Sequence, residues 1–155
     1  MRGHGQSAPL GSSLVTYQGG CHCGAIGYSY RTELAPGEWP IRACQCAFCR
    51  AHGARTTSDP NGVLEFHARQ PALRLYRFAQ CITDFLLCGT CGIYIGASCE
   101  SAAKRFGVVN VNVLKPYLAQ LRDAEPMSYE GESIAERTAR REQRWTPCLQ
   151  VRRVA

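Results

Sequence analysis

The chain has 155 residues, 45% hydrophobic and 19% charged, with a formal net charge of +6. That length supports one domain around one core, and that composition excludes an intrinsically disordered chain. The longest uncharged apolar run, Phe85 to Ser98, is interrupted by glycines and falls short of the roughly 18 residues a membrane helix needs, so no membrane partner is expected.

Met1 to Ser13 is rich in Gly and Ser and reads as a flexible tail with an idle His4, leaving residues 14–155 as a single domain. The tail has no apolar core of the signal-peptide kind, which points to the cytoplasm. In a reducing compartment the ten cysteines are better read as metal ligands or catalytic groups than as disulfide staples.

From Leu14 the pattern becomes strand-like, with Leu14 to Tyr17 and then Ile26, Tyr28 and Tyr30 alternating with smaller residues. Between these runs lies Gly19-Gly20-Cys21-His22-Cys23-Gly24, a hairpin knuckle in which His22 points away from the flanking sulfurs and is read as a non-ligand. Thr32 to Pro40 is a loop. Ile41-Arg42-Ala43 then leads into Cys44-Gln45-Cys46-Ala47-Phe48-Cys49, three sulfurs within six residues.

The segment from Cys46 to His52 predicts a short helix, ended by Gly53, whose N-terminal dipole would favour thiolates. Arg50 and His52 are the polar side chains nearest the cluster in sequence. A surface ion pair for Arg50 and a loop cap for His52 are the simplest roles. Turned toward a metal, His52 could instead move a proton between a thiol or hydroxyl and water.

Asp59-Pro60-Asn61-Gly62 is a turn, followed by strands over Val63 to Phe66, Leu73 to Phe78 and Thr83 to Leu87. The last runs into Cys88-Gly89-Thr90-Cys91, and further β-like runs cover Ile93 to Gly96 and Arg105 to Val113. Pro116 to Leu121 predicts a short helix, and Ser133-Ile134-Ala135-Glu136 is a capping box starting a second helix that runs to about Trp145. Arg137, Arg140, Arg141 and Arg144 on it read as a solvated charged face, with Glu136 and Arg140 paired at i,i+4, rather than as an anion clamp. The basic residues are not interleaved with aromatics in a stacking pattern, so no nucleic-acid partner is expected.

Cys21, Cys23, Cys88 and Cys91 supply the number and type of ligands for a closed, structural tetrahedral zinc. With Cys23 and Cys88 65 positions apart, such a metal would tie distant parts of a sheet together. Cys44, Cys46 and Cys49 supply three sulfurs, leaving one corner of a second zinc free for water or a substrate thiol. All-sulfur ligation favours zinc over iron. Cys81, Cys99 and Cys148 fall outside these groups and read as small buried hydrophobes, Cys99 being the candidate to approach the open metal. Seven thiolates remove seven charges from +6 and two zinc ions return four, leaving about +3, a balance that suits an anionic small molecule.

With these three cysteine groups in this order, the chain resembles the GFA family, named for the glutathione-dependent formaldehyde-activating enzyme and including the centromere-protein-V-like proteins. The matching stretches are Gly-Gly-Cys-His-Cys-Gly at 19–24, Cys-x-Cys-x-x-Cys-Arg-x-x-Gly at 44–53 and Cys-Gly-Thr-Cys-Gly at 88–92. Similarity runs from about Tyr17 through Asn112 and more loosely to Trp145. The resemblance implies a mainly β fold of the β-tent type, antiparallel sheets with zinc knuckles and short C-terminal helices. It also implies that Cys21, Cys23, Cys88 and Cys91 bind the structural zinc and Cys44, Cys46 and Cys49 the catalytic one. The enzymes that name the family are longer and differ around the cluster, so this chain is similar to the wider family.

The expected activity is that of a zinc-dependent carbon–sulfur lyase or synthase acting on a thiol–aldehyde adduct. Its small-molecule partners would be a glutathione-like thiol and an aldehyde, and S-(hydroxymethyl)glutathione formation is the form implied by the resemblance. The alternative is a non-catalytic zinc-binding module or thiol carrier, with Cys99 as the nearby cysteine able to close the open site. Redox sensing by the cluster ranks below both, because thiolates bound to zinc are less nucleophilic than free ones.

Overall fold

Large side chains at a two-residue period direct one face of the strands over 26–32 and 63–69 into a shared interior. The computed structural model describes residues 13–116 and 119–155. The tail expected over 1–13 therefore lies outside the described residues except at Ser13, as does His4.

β1 (Val15–Gly20) and β2 (Ile26–Thr32) form the expected antiparallel hairpin, and β2 sends Ile26, Tyr28, Tyr30 and Thr32 inward. β5 (Val63–Arg69) pairs with β2 and adds Leu64, Phe66 and Ala68 to the same core. β10 (Leu114–Lys115) and β13 (Arg152–Val154) flank them, giving the order β10-β1-β2-β5-β13.

The second sheet is built from β3 (Arg42–Cys44), β4 (Thr56–Thr57), β6 (Leu73–Tyr76), β7 (Asp84–Cys88), β8 (Tyr94–Ser101), β9 (Lys104–Asn110) and β11 (Glu125–Met127). Its order is β11-β3-β4-β9-β8-β7-β6, with β12 (Thr146–Pro147) also pairing with β9. Among the named strand pairs only β11 with β3 and β13 with β5 run parallel. The fold is thus mainly β, as expected, with two largely antiparallel sheets and few short helices.

The sheets meet face to face. The Tyr28 hydroxyl donates to the Asn110 carbonyl oxygen across the interface at 2.9 Å, satisfying the one polar atom of a buried ring. The Phe66 ring lies against Gly96, where a Cβ would stand 2.4 Å from the Val108 carbonyl oxygen and 2.9 Å from the ring. Backbone on one side and a core aromatic on the other leave no soft neighbour. Gly96→Ala is therefore expected to cost about 2 kcal/mol, the middle of the range for overpacking a filled core, seen as a lower urea midpoint at unchanged m-value.

The turn after β4 forms as the sequence predicts: the Gly62 N–H donates to the Asp59 carbonyl oxygen and the Asn61 N–H to Asp59 Oδ1, both at 2.9 Å. Two helices position the functional residues. α1 (Ala47–Ala51) is the short helix expected after the cysteine cluster, ended by Gly53 at φ +56°. α2 (Ile134–Arg144) starts at the expected capping box, with the Ser133 N–H donating to Glu136 Oε2 and the Glu136 N–H to Ser133 Oγ.

Three expectations are corrected here. Glu136 and Arg140 do not pair, because the cap engages Glu136 while Arg140 turns to Glu132. The arginine face of α2 is not simply solvated, since Arg141 is buried and Arg137 and Arg140 are half-buried. In the helix expected over Pro116 to Leu121, residues 117 and 118 lie outside the described residues, and 119–120 form a turn. Among the described residues no helix is long and apolar enough to cross a membrane.

Candidate metal centres

The two cysteine pairs that are distant in sequence meet in space. Cys21 and Cys23 sit at the turn joining β1 to β2 in the first sheet, and Cys88 and Cys91 at the turn leaving β7 in the second. Gly24 and Gly92, each directly after the second cysteine of its pair, take φ of +80° and +81°, so the two knuckles share one backbone solution. The Sγ atoms of Cys21 and Cys23 are 3.7 Å apart and those of Cys23 and Cys88 3.6 Å. A zinc bound tetrahedrally at about 2.3 Å from each sulfur needs edges of about 3.8 Å, so the group fits zinc. Backbone N–H groups support the sulfurs: Ile26 donates to Cys21 Sγ at 3.3 Å and Cys91 to Cys88 Sγ at 3.4 Å. His22 is exposed and outside the group, as expected.

Cys44, Cys46 and Cys49 form the second group, with their sulfurs within 4.8 Å of one another. Cys44 ends β3, Cys46 is the N-cap of α1, and Cys49 lies on its inner face. The loop is fixed by the Gln45 N–H donating to the Met127 carbonyl oxygen of β11 at 2.8 Å and by the Cys49 N–H donating to Cys46 Sγ at 3.4 Å. The thiols interact: against the effect of burial, the neighbouring Cys49 thiol holds Cys44 down at about 5, with Cys46 and the Arg137 charge assisting. The same contact, with burial, pushes Cys49 up. Each cysteine group could hold a metal ion, and the all-thiol donor sets are those zinc prefers.

The second group opens onto a cavity of about 450 Å³. Phe85 of β7 and Tyr94 and Ala97 of β8 line one side. In a regular strand, residues three apart face opposite ways, but a register shift opposite Leu86 and Leu87 brings Tyr94 and Ala97 to the same cavity. Arg137, Arg140 and Arg141 of α2, Tyr129 and the segment 78–83 also line it. Burial first, and then the neighbouring cysteines, raise the Tyr94 hydroxyl well above its ordinary value, so it stays protonated.

His52 caps α1 and is exposed, its ring tilted at 45° against Phe48 at 4.5 Å and near Tyr94 at 5.6 Å between centroids. It is not among the cavity-lining residues, and Arg50 is exposed on α1, also off the lining. Cys99 is buried among Ala97, Val108 and Trp145, off the cavity lining and outside both groups. Cys148 is buried, as expected. Cys81 corrects its expectation: it is exposed, takes φ +56° and lines the cavity.

Sequence reasoning thus left out of the site Cys81, Tyr129 and the three arginines, along with the aromatic and polar lining at Phe78, Gln80, Thr83, Phe85 and Tyr94. The arginines carried a signal. Positions 137, 140 and 141, at i,i+3 and i,i+4, share one helix face, which a burial-neutral charge pattern leaves free to be either wet or covered.

No family model matches the chain, and no curated protein matches it. A crystal structure of a Rhodobacter sphaeroides protein, a structural-genomics target, aligns with a TM-score of 0.53 and 31% identity. The alignment covers 71% of this chain and 99% of that one. The two proteins belong to one family.

Proposed function

We propose that this protein is a zinc-dependent carbon–sulfur lyase or synthase of the GFA type, acting on a thiol–aldehyde adduct, with S-(hydroxymethyl)glutathione formation as its specific form. The observation that carries the proposal is the placement of Cys44, Cys46 and Cys49. Three thiol ligands on one short segment border a cavity of about 450 Å³, large enough for a small organic substrate. The contrast with the other group supports it, since Cys21, Cys23, Cys88 and Cys91 together use every corner of a tetrahedron.

When bound, zinc would favour the thiolate form of a coordinated substrate thiol and polarise an aldehyde oxygen. The chain's residues supply the rest. Phe78, Phe85 and Tyr94 form an apolar wall that excludes water, and Arg137 beside Cys44 stabilises negative charge at the sulfurs. In the synthetic direction the thiolate sulfur forms a bond to the carbonyl carbon, the C=O π pair moves to oxygen, and that oxygen takes a proton. The lyase direction reverses each step, with no net oxidation.

The alternative is a non-catalytic zinc-binding module or thiol carrier, and one observation favours it: Cys81 lines the same cavity, so a fourth protein sulfur is at hand where Cys99 is not. Exchange between free formaldehyde and its glutathione adduct, followed by NMR, separates the two. Acceleration by the zinc-loaded protein, lost in Cys46→Ala and kept in Cys81→Ser, is the expected result. No acceleration by the native protein would leave only the binding module.

A further inference from the structure

Arg141 is a buried cation without a carboxylate. Only 7% of it is exposed, and among the described residues no Asp or Glu lies within ion-pair distance of it. The groups it touches are neutral, and the charges nearest it, on Arg140 and Arg137, are of its own sign. One guanidinium NH2 donates to Thr83 Oγ1 at 2.7 Å, the group lies over the Trp145 ring at 4.4 Å, and the buried Cys99 thiol is close by. Among the described residues its Nε–H has no hydrogen-bond partner.

The other two arginines on this face are differently placed. Arg140 makes two bonds to Glu132, at 2.8 and 2.9 Å, and stacks over Tyr129 at 3.8 Å. Arg137 reaches the same carboxylate at 3.4 Å and donates to the Tyr129 carbonyl oxygen. One carboxylate, off the cavity lining, thus serves two guanidiniums, and Glu130, the acid on the lining, is exposed and pairs with neither. A guanidinium cannot shed its charge, and a buried charge without a counter-charge costs several kcal/mol. Of the three buried side-chain polar atoms without a partner among the described residues, two, Arg141 Nε and Gln80 Oε1, belong to residues lining the cavity that borders Cys44, Cys46 and Cys49.

We propose that this part of the cavity is a carboxylate subsite, in which Arg141 Nε and its neighbouring NH2 receive the carboxylate of the ligand whose sulfur meets the three-cysteine centre. The substrate class narrows accordingly to thiols, or their aldehyde adducts, that carry a carboxylate. Gln80 Oε1 offers an acceptor for an N–H or O–H on the same molecule. Thr83 orients the guanidinium, and Arg137 adds positive charge on the same wall without being freed from Glu132. The inference rests on the proposed function only for the sulfur end of the ligand; the carboxylate end stands on Arg141.

The test compares 3-mercaptopropionate with its uncharged amide, 3-mercaptopropanamide, by calorimetric titration of the zinc-loaded full-length protein. The Arg141 Nε–H resonance is followed in parallel by NMR. The acid is expected to bind about tenfold to a hundredfold more tightly than the amide, as a charge-assisted hydrogen bond requires, and to shift the Nε–H resonance while the amide does not. In Arg141→Gln the preference should vanish while the amide still binds, and in Arg144→Gln, on the exposed end of α2, it should persist. If Arg141→Gln does not fold, Arg141→Lys takes its place, keeping the charge and losing the fork, with a preference reduced severalfold. Equal binding of acid and amide by the native protein would overturn the subsite and leave the thiol-binding centre standing. An unmoved Nε–H resonance with both compounds would also overturn it, whether or not either binds at the cysteines.

Discussion

Cys88→Ser is expected to lower the melting temperature by at least about 15 °C, the shift that a loss of about 5 kcal/mol produces in a domain of this size. Cys88 ends β7 in the second sheet, and its sulfur lies 3.6 Å from that of Cys23, on the hairpin of the first. A metal held there joins two sheets whose ligands are 65 residues apart, and its binding free energy becomes folding free energy. Structural zinc in small domains contributes about 10–16 kcal/mol at neutral pH, against a net stability of about 5–15 kcal/mol for a whole domain. Three remaining thiols keep part of that, and the interior around Tyr28, Trp39 and Phe66 resists complete collapse. Thermal melting followed by circular dichroism checks the outcome, with Cys81→Ser as control because Cys81 is exposed and outside the four-sulfur group. A melting temperature within a few degrees of the native protein would mean that the sheets hold without the clip.

The sequence carried the metal groups because their logic is local. Cys-x-Cys and Cys-x-x-Cys spacings bring sulfurs together whatever the rest of the chain does, and the flanking Gly24 and Gly92 mark the turns that aim them. The long strands were equally plain, since Tyr28, Tyr30, Leu64 and Phe66 alternate with smaller or polar neighbours. The capping box fixed the start of α2 to the residue.

Other features depend on what lands beside them. β10, β11, β12 and β13 are two or three residues long, too short for any period to show, and β11 is a strand because it has β3 to pair with. Arg141 and Arg144 are the same residue on the same helix; packing against Trp145 and Thr83 buries the first and leaves the second exposed. Cys81 and Cys99 exchanged roles for a similar reason. Cys99 falls on the central strand β8, covered by Trp145, whereas Cys81 falls on a left-handed turn that faces the cavity. Composition could not separate either pair.

Cys44→Ser should have a contrasting effect, taking the protein from two bound zinc ions to one while leaving the melting temperature within about 5 °C of native. Cys44 is half-buried at the end of a three-residue strand, and its group draws all three ligands from one short segment, residues 44–49, so its metal closes no long loop. The loss is then one ligand and its interaction with the Cys49 thiol, on the order of 1–2 kcal/mol. Metal analysis of the purified variant gives the stoichiometry. Cobalt substitution gives the coordination, because thiolate-to-cobalt absorption scales with the number of sulfurs. If the native second site binds through Cys44, Cys46 and Cys49 alone, its cobalt spectrum should be unchanged in Cys81→Ser and should change when 3-mercaptopropanamide is added. A spectrum that already contains a fourth sulfur and loses it in Cys81→Ser would show that the segment 78–83 closes the site from the protein itself. Access for a substrate thiol would then require Cys81 to leave.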